Sequence, residues 1–398
     1  MDITIYPTKL QGQIKAIPSK SQAHRLLICA AFSDRSTTLE CPETNSDIEA
    51  TVRCLNALGA VITRTDIGYH TLPVQSIPKT AHLDCGESGS TLRFILPIVC
   101  ALGINTTIHL SGRLPYRPLS PLWEELTRMG CILTRPNDNT IRTCGKLRSG
   151  EYTIPGNVSS QFISGLLFAL SIMNGESHIT VTGAMESQPY IMLTLDALSA
   201  FGVTIDNFHI HGHLPFHSPG IIKVEGDWSN AAFFLAAAAL GNDIQVSNLD
   251  SQSHQGDRII IDILKDGCQK PTVSTKDIPD LVPILAVYFA ARGGAVFSDI
   301  ARLRLKESDR VETVMKLLNA LGVASESTEQ TLIVRNGRFS SGIVDACNDH
   351  RIAMAAAIAA TVADGPVTIL GAECVAKSYP TFWEEYRQLG GKYEQYIR

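Results

Sequence analysis

Six stretches of this chain repeat one pattern: an apolar helical run, a glycine at its end, and an extended run after it. They read LNALGAVIT, LTRMGCILT, LSAFGVTID, ILKDGCQKP, LNALGVASE and YRQLGGKYE, and their glycines are Gly59, Gly130, Gly202, Gly267, Gly322 and Gly390. A glycine there suits the left-handed residue that ends a helix, and the alternation in AVITRTD or VTIDNFHIH suits a half-buried strand. One such junction is common in α/β proteins; six at similar spacing define an architecture. The intervals are 71, 72, 65, 55 and 68 residues, too long for a simple solenoid and enough for about two helices and several strands each. Three units in each of two domains give a pseudo-symmetric α/β protein. After Gly267 the segment CQKPTVSTKDIPD leaves little room for a strand pair, so the fifth unit is expected to be trimmed.

The 398 residues carry a net charge of −5, which disfavours a general attraction to nucleic acid or anionic membrane. Any anion must therefore be held by locally concentrated cations, and their positions matter more than their number. No apolar run reaches membrane length. The opening MDITIYPTKL reads as a strand rather than a leader, and the ten cysteines are scattered singly with no C-x-x-C. Buried reduced thiols and a cytoplasmic location are expected.

Cations gather at predicted helix starts. In IPSKSQAHRLL, Lys20, His24 and Arg25 occupy the first turns of a helix, where the backbone dipole disfavours positive charge. GESGSTLRFILPI brings glycines and hydroxyls into a helix with Arg93 near its start, and GNVSSQF offers Ser159 and Ser160 as caps with Gln161 behind them. LKESDRVETV sets Lys306 and Glu307 ahead of a helix capped by Asp309, and NDHRIAMA offers Asn348 or Asp349 as cap before His350 and Arg351. Each start alone is explained by ordinary capping. Their recurrence points to phosphate or carboxylate, which helix N-termini bind through free N–H groups and the dipole, reinforced by Lys and Arg.

Other chemistries lack their motifs. GESGSTLR has no G-K-[ST] ending of a phosphate-binding loop, and neither H-E-x-x-H nor G-x-S-x-G occurs. In HIHGHLPFH, His209, His211 and His213 share a face if extended. No carboxylate or cysteine adjoins them at a familiar spacing, so a solvent-facing strand or hairpin is expected rather than a metal site.

The motifs PSKSQAHR, NSDIEATVRCLNALG, GESGSTLR, YRPLSPL, NVSSQF, SQPYIMLTLD, VEGDWSNAAFFLAAAA, IPDLVPILA, RLKESDR, DHRIAMA and VAKSYPTFW run in order along nearly the whole chain. Together they resemble the 5-enolpyruvylshikimate-3-phosphate synthase family of 3-phosphoshikimate 1-carboxyvinyltransferases. The resemblance implies the two-domain enolpyruvyl transferase fold, an inside-out α/β barrel with three βαβαββ units in each domain. It implies one domain of residues 1–18 plus 226–398 and another of 19–225, with the active site in the cleft between them. The reaction implied is transfer of the carboxyvinyl group of phosphoenolpyruvate to the 5-hydroxyl of shikimate 3-phosphate by a monomer, with no metal or organic cofactor.

Carried over by motif, Lys20, Ser21, Arg25, Ser159, Ser160, Gln161, Ser187, Tyr190, Asp280 and Lys306 meet shikimate 3-phosphate. Lys20, Gly89, Arg93, Arg117, Gln161, Arg310, Arg351 and Lys377 meet phosphoenolpyruvate. Asp280, beside Pro279, reads on its own as a turn or cap residue; the resemblance implies the base for the 5-hydroxyl, with Glu307 and Lys20 in the proton transfers.

Three departures from the family stand out. Its Asn in the glycine loop is Glu87 here, its Thr is Ser90, and the Pro that often follows the loop's Arg is Phe94. A carboxylate beside a phosphoenolpyruvate site, which glyphosate also occupies in this family, must turn away or pair. The Asn that some members place ahead of Lys306 corresponds to Arg302, and no contact is carried over there. UDP-N-acetylglucosamine enolpyruvyl transferases share the architecture but usually present a Cys before R-P; LSGRLPYRPL has none. The third alternative is a non-catalytic relative that keeps the anion site.

Overall fold

The computed structural model of the chain describes residues 1–212, 215–266 and 271–396; His213, Gly267 and Cys268 lie outside them. The chain divides into two units, one of Met1–Ile17 with Gly226–Arg398 and one of Pro18–Glu225.

The Pro18–Glu225 unit repeats one motif three times. In the second repeat, strand Thr80–Asp84 leads through helix Gly89–Leu102 to the parallel strand Asn105–His109. Helix Leu122–Arg128 and the antiparallel strands Cys131–Asn137 and Thr140–Gly145 complete it. The first repeat has helix Lys20–Ala31, strand Thr37–Glu40, helix Ser46–Ala57 and strands Val61–Thr65 and Gly68–Leu72. Its opening strand comes from the far end of the unit, because Ile221–Lys223 pairs in parallel with Thr37–Glu40. In the third repeat, strands Glu151–Pro155 and Ser177–Thr182 flank helix Ser160–Ser171, and helix Gln188–Ala200 follows. There the strand expected in VTIDNFHIH shrinks to His209–Ile210, preceded by a turn closed by an Asp206–His209 bridge. Asn207 and Phe208 take positive φ of 47° and 59°, which interrupts the extended run.

The other unit follows the same plan. Strand Asp2–Tyr6 lies between Val367–Leu370 and Lys392–Tyr396, in one sheet with Gly342–Asp345. A second sheet orders Thr272–Ser274, Ala295–Ser298, Thr331–Val334 and Ser325–Ser327. The third pairs Gln11–Lys15 only with Asp243–Ser247 among the described residues. The trimming therefore falls one unit earlier than expected. Residues 272–334 build a complete four-stranded unit, while the unit that ends near Gly267 lacks the closing pair, because Thr272–Ser274 already opens the next sheet.

Each unit has its own core, with helices inside and sheets outside. Helices Gly89–Leu102, Ser160–Ser171, Val282–Ala290 and His350–Ala360 are buried almost all round, as helices without a polar face must be. Strands such as Thr80–Asp84 alternate exposed and buried residues, the pattern of a sheet wetted on one face. The described repeat glycines 59, 130, 202, 322 and 390 all have positive φ. Nine described cysteines are unpaired thiols, seven of them buried. No described helix is long and apolar enough to cross a membrane.

Candidate active site

Parallel βαβ repeats leave their loops at the carboxyl ends of the strands, where open α/β sheets usually bind ligands. The candidate residues lie in those loops or the first turns beyond them. Gly89 and Arg93 follow Thr80–Asp84, Arg117 follows Asn105–His109, Ser159 to Gln161 follow Glu151–Pro155, and Ser187 and Tyr190 follow Ser177–Thr182. Asp280, Lys306 to Arg310, Arg351 and Lys377 hold the corresponding places in the other unit. Lys20 fits the same rule, since the Ser19 amide donates to the Glu225 carbonyl (2.8 Å), two residues beyond strand Ile221–Lys223.

In the Pro18–Glu225 unit, Ser19 caps helix Lys20–Ala31 by accepting from the Gln22 amide. Lys20 Nζ pairs with Asp47 Oδ2 at 2.9 Å, a partner from helix Ser46–Ala57 that the sequence reading missed. Arg25 is 2% exposed. It donates from Nε to Thr194 Oγ1 (2.8 Å), from Nη1 to the Ser21 carbonyl (2.5 Å) and from Nη2 to the Tyr190 carbonyl (2.9 Å). The Thr194 hydroxyl in turn donates to Ser164 Oγ at 2.7 Å. Burial pulls Arg25 down to about 10, so it stays cationic at neutral pH. These three acceptors are neutral, and a buried cation held this way favours an added anion.

His24 is buried completely and its Nδ1 lies 2.8 Å from Thr51 Oγ1. Burial first, then Lys20 and Arg25, hold its pKa well below the usual imidazole value, so His24 is neutral. Its Nε2 has no hydrogen-bond partner among the described residues. Thr51 Oγ1 is 2.7 Å from Thr91 Oγ1, which donates to Ser88 Oγ (2.8 Å), the cap of helix Gly89–Leu102. The third basic residue of the first helix is thus a strut toward the glycine loop, not a third cation.

At that loop Arg93, 3% exposed, donates from Nη1 to Gln161 Oε1 (3.0 Å) and from Nη2 to the Pro118 carbonyl (3.2 Å). Gln161 Nε2 donates to Ser90 Oγ at 2.8 Å, and Ser159 caps its helix by accepting from the Gln161 amide. A β-carbon on Gly89 would stand 2.5 Å from Arg93 Nη1 and 2.6 Å from Arg117 Nη1, so both guanidinium groups converge on this glycine. The Glu87 carboxylate turns to Gly112, where a β-carbon would come within 2.4 Å of it. Ser187, 1% exposed, sits at φ 54° and ψ 38° before helix Gln188–Ala200, a left-handed conformation unusual for a non-glycine residue and frequent at binding sites.

The other unit gathers an ion-pair network about Arg310, which is 1% exposed. Its Nη1 meets Asp280 Oδ1 (2.5 Å), its Nη2 meets Glu307 Oε2 (2.6 Å) and its Nε meets Asp349 Oδ2 (3.0 Å). Asp280 Oδ2 also pairs with Arg351 Nη2 at 3.1 Å, and Lys306 Nζ approaches Oδ1 at 3.4 Å. Asp349 caps helix His350–Ala360 and accepts from Ser308 Oγ at 2.9 Å, so one buried carboxylate fixes both a helix start and Arg310. Lys377 Nζ donates to the Asn348 carbonyl at 2.9 Å. Burial acts to raise the Asp280 pKa, but Arg351, Lys306 and Arg310 outweigh it and hold the carboxyl well below the usual range.

A further carboxyl adjoins this network. Asp257, 1% exposed, accepts from Ser229 Oγ at Oδ2, and its Oδ1 has no hydrogen-bond partner among the described residues. Burial first, then the charge of Asp280, push it up to about 7. No sequence signal marked it.

The model of the EPSP synthase family, described as EPSP synthase (3-phosphoshikimate 1-carboxyvinyltransferase), matches residues 5–270 and 266–386. The chain belongs to the EPSP synthase family. It is 38% identical to the 3-phosphoshikimate 1-carboxyvinyltransferase of Clostridium kluyveri over 99% of this chain and 98% of that one. Its identity to the enzyme of the same name from Clostridium acetobutylicum is 39%, over 98% of this chain and 97% of that one. The solved EPSP synthase of Acinetobacter baumannii shares the fold with a TM-score of 0.80 at 24% identity, covering 99% of this chain and all of that one. The enolpyruvyl transferase NikO of Streptomyces tendae has the same fold, with a TM-score of 0.76 at 15% identity over 99% of this chain and 98% of that one. As an EPSP synthase family member, the chain has the enolpyruvyl transferase fold that the motif resemblance implied.

Proposed function

We propose that this enzyme is a 3-phosphoshikimate 1-carboxyvinyltransferase, transferring the enolpyruvyl group of phosphoenolpyruvate to the 5-hydroxyl of shikimate 3-phosphate and releasing phosphate. The observation that carries the reading is the paired chemistry of the two units: one converges Arg93 and Arg117 on Gly89, the other sets Asp280 among Arg310, Arg351 and Lys306.

In this reading both sets engage one substrate pair. Arg25, Ser159, Ser160, Ser187 and Tyr190 receive shikimate 3-phosphate with Lys20 and Ser21, while Arg93, Arg117, Arg310, Arg351 and Lys377 receive phosphoenolpyruvate around Gly89 and Gln161. Asp280 takes the 5-hydroxyl proton as oxygen attacks C2. A carboxylate clasped by three cations is a weak base, so anionic substrate has a second task. It competes for Arg310, Arg351 and Lys306 and thereby raises the basicity of Asp280. Glu307 and Lys20 serve the protonation of C3 and the return of a proton as the tetrahedral intermediate expels phosphate. The same cations stabilise the departing phosphate. In this reading the enzyme works as a monomer in the cytoplasm, a reducing compartment that suits the unpaired thiols.

The test is phosphate release from phosphoenolpyruvate with shikimate 3-phosphate or UDP-N-acetylglucosamine as acceptor. Release only with the first is expected. Release only with the second selects the rival transferase, and release with neither sinks the catalytic reading. Asp280→Ala should lose turnover far more than substrate binding; unchanged turnover removes Asp280 from the mechanism.

A further inference from the structure

We propose that Glu176, His209 and His211 form a surface site for a divalent transition metal of the zinc class, separate from the residues of enolpyruvyl transfer. The sequence alone argues against a metal at HIHGH because no carboxylate or cysteine adjoins it at a familiar spacing. The fold supplies one. Strand Ser177–Thr182 pairs antiparallel with His209–Ile210, Ser177 opposite Ile210 and His178 opposite His209. Continuing that register by one residue sets Glu176 opposite His211.

The side chains meet accordingly. Glu176 Oε2 is 3.8 Å from His209 Nε2 and Oε1 is 3.6 Å from His211 Nδ1. The two imidazole centroids are 4.7 Å apart, and one ligand atom from each of the three residues lies within 4.8 Å of the others. Donors about 2.0–2.2 Å from a tetrahedral zinc ion are roughly 3.4 Å from one another. The present spacing therefore needs a contraction of about 1 Å, which rotation of exposed side chains provides.

Two imidazoles and one carboxylate select zinc, nickel or copper over magnesium or calcium, which want mostly oxygen ligands. Three protein donors leave a fourth position for water. Among the described residues, the donors that converge are these three, and His178 is not one of them. A metal here would tie the two-residue strand His209–Ile210 to Ser177–Thr182, its one strand neighbour among the described residues.

The experiment uses the full chain stripped with chelator and titrated with zinc chloride by calorimetry, and with cobalt chloride by visible absorption. One equivalent of zinc is expected, with intense visible bands from low-coordinate cobalt and a rise in Tm on zinc addition. Glu176→Gln and His211→Ala should each weaken zinc binding by roughly tenfold or more, whereas the exposed control His217→Ala should not. Undiminished affinity in the Glu176→Gln, His211→Ala double variant overturns the assignment. Absence of a zinc-binding isotherm in the native chain does so as well.

Discussion

His24 Nδ1 lies 2.8 Å from Thr51 Oγ1, and through Thr91 this contact reaches the Ser88 cap of the helix that begins at Gly89. The imidazole therefore braces the Gly89 loop, the proposed phosphoenolpyruvate side, from the helix that carries Lys20 and Arg25. His24→Phe keeps the ring but removes the bond, a loss of about 1 kcal/mol. We expect the KM for phosphoenolpyruvate to rise about fivefold in this variant, the equivalent of that energy, with a smaller change for shikimate 3-phosphate. His24→Asn, whose amide can meet Thr51 from nearly the same position, should restore most of the loss. An unaltered phosphoenolpyruvate KM in His24→Phe would leave the residue a packing role only.

Gly89 is the first residue of its helix, and its φ is not positive, so alanine suits the backbone there. The obstacle is the pair of guanidinium groups, whose Nη1 atoms would lie 2.5 and 2.6 Å from the new β-carbon. Gly89→Ala should fold with an unchanged or slightly raised Tm, since alanine favours helix by up to about 1 kcal/mol. Displacement of Arg93 and Arg117 should raise the KM for phosphoenolpyruvate by about tenfold or more, the effect of disturbing a charge-assisted contact. Steady-state kinetics with each substrate varied in turn separates the two. Equal changes in both KM values would contradict the assignment of these arginines.

What the sequence made legible was local. Glycines 59, 130, 202, 322 and 390 end helices as their neighbours implied, and Ser159, Asp309 and Asp349 cap the helices they precede. These features depend on a few adjacent residues. The partners of the cations depend on tertiary placement and left no such trace. Asp47 is 27 residues from Lys20, Thr194 is 169 from Arg25, and Asp280 is 71 from Arg351. Asp349 read as a cap, and only the fold shows that its other oxygen holds Arg310. The misplaced trimming has a similar cause, since a strand's sheet cannot be told from its own residues when a neighbouring repeat competes for it.

Asp257 makes stability depend on pH in a way that can be signed. Its carboxyl is pushed up from 3.8 to about 7 in the folded chain. Between pH 4 and 7 the folded state therefore retains a proton that the unfolded state has released. The stabilising contribution is fully present below the lower value and is lost as pH rises through the upper one, a change of up to about 4 kcal/mol. Asp257→Asn keeps the acceptor for Ser229 and has no such titration. Across this range the native chain should lose stability relative to the variant, as read from denaturant midpoints at each pH. A constant difference between them would show that Asp257 does not hold a proton in the folded state.

Lys306 is expected to set the alkaline side of catalysis. Burial lowers its ammonium pKa to about 8, Asp280 and Glu307 opposing that shift and Arg310 and Arg302 adding to it. In the free enzyme the cation beside Asp280 is present below pH 8 and lost above it. The pH profile of kcat/KM reports free-enzyme groups, whereas kcat reports the bound complex. With shikimate 3-phosphate varied, kcat/KM should therefore fall above pH 8. The kcat profile should hold to higher pH, because bound anions keep the ammonium charged. Lys306→Arg carries a guanidinium that stays protonated throughout this range, so its alkaline limb should move up or vanish even if its maximal rate is lower. An alkaline limb at the same pH in both proteins would assign that titration to another group.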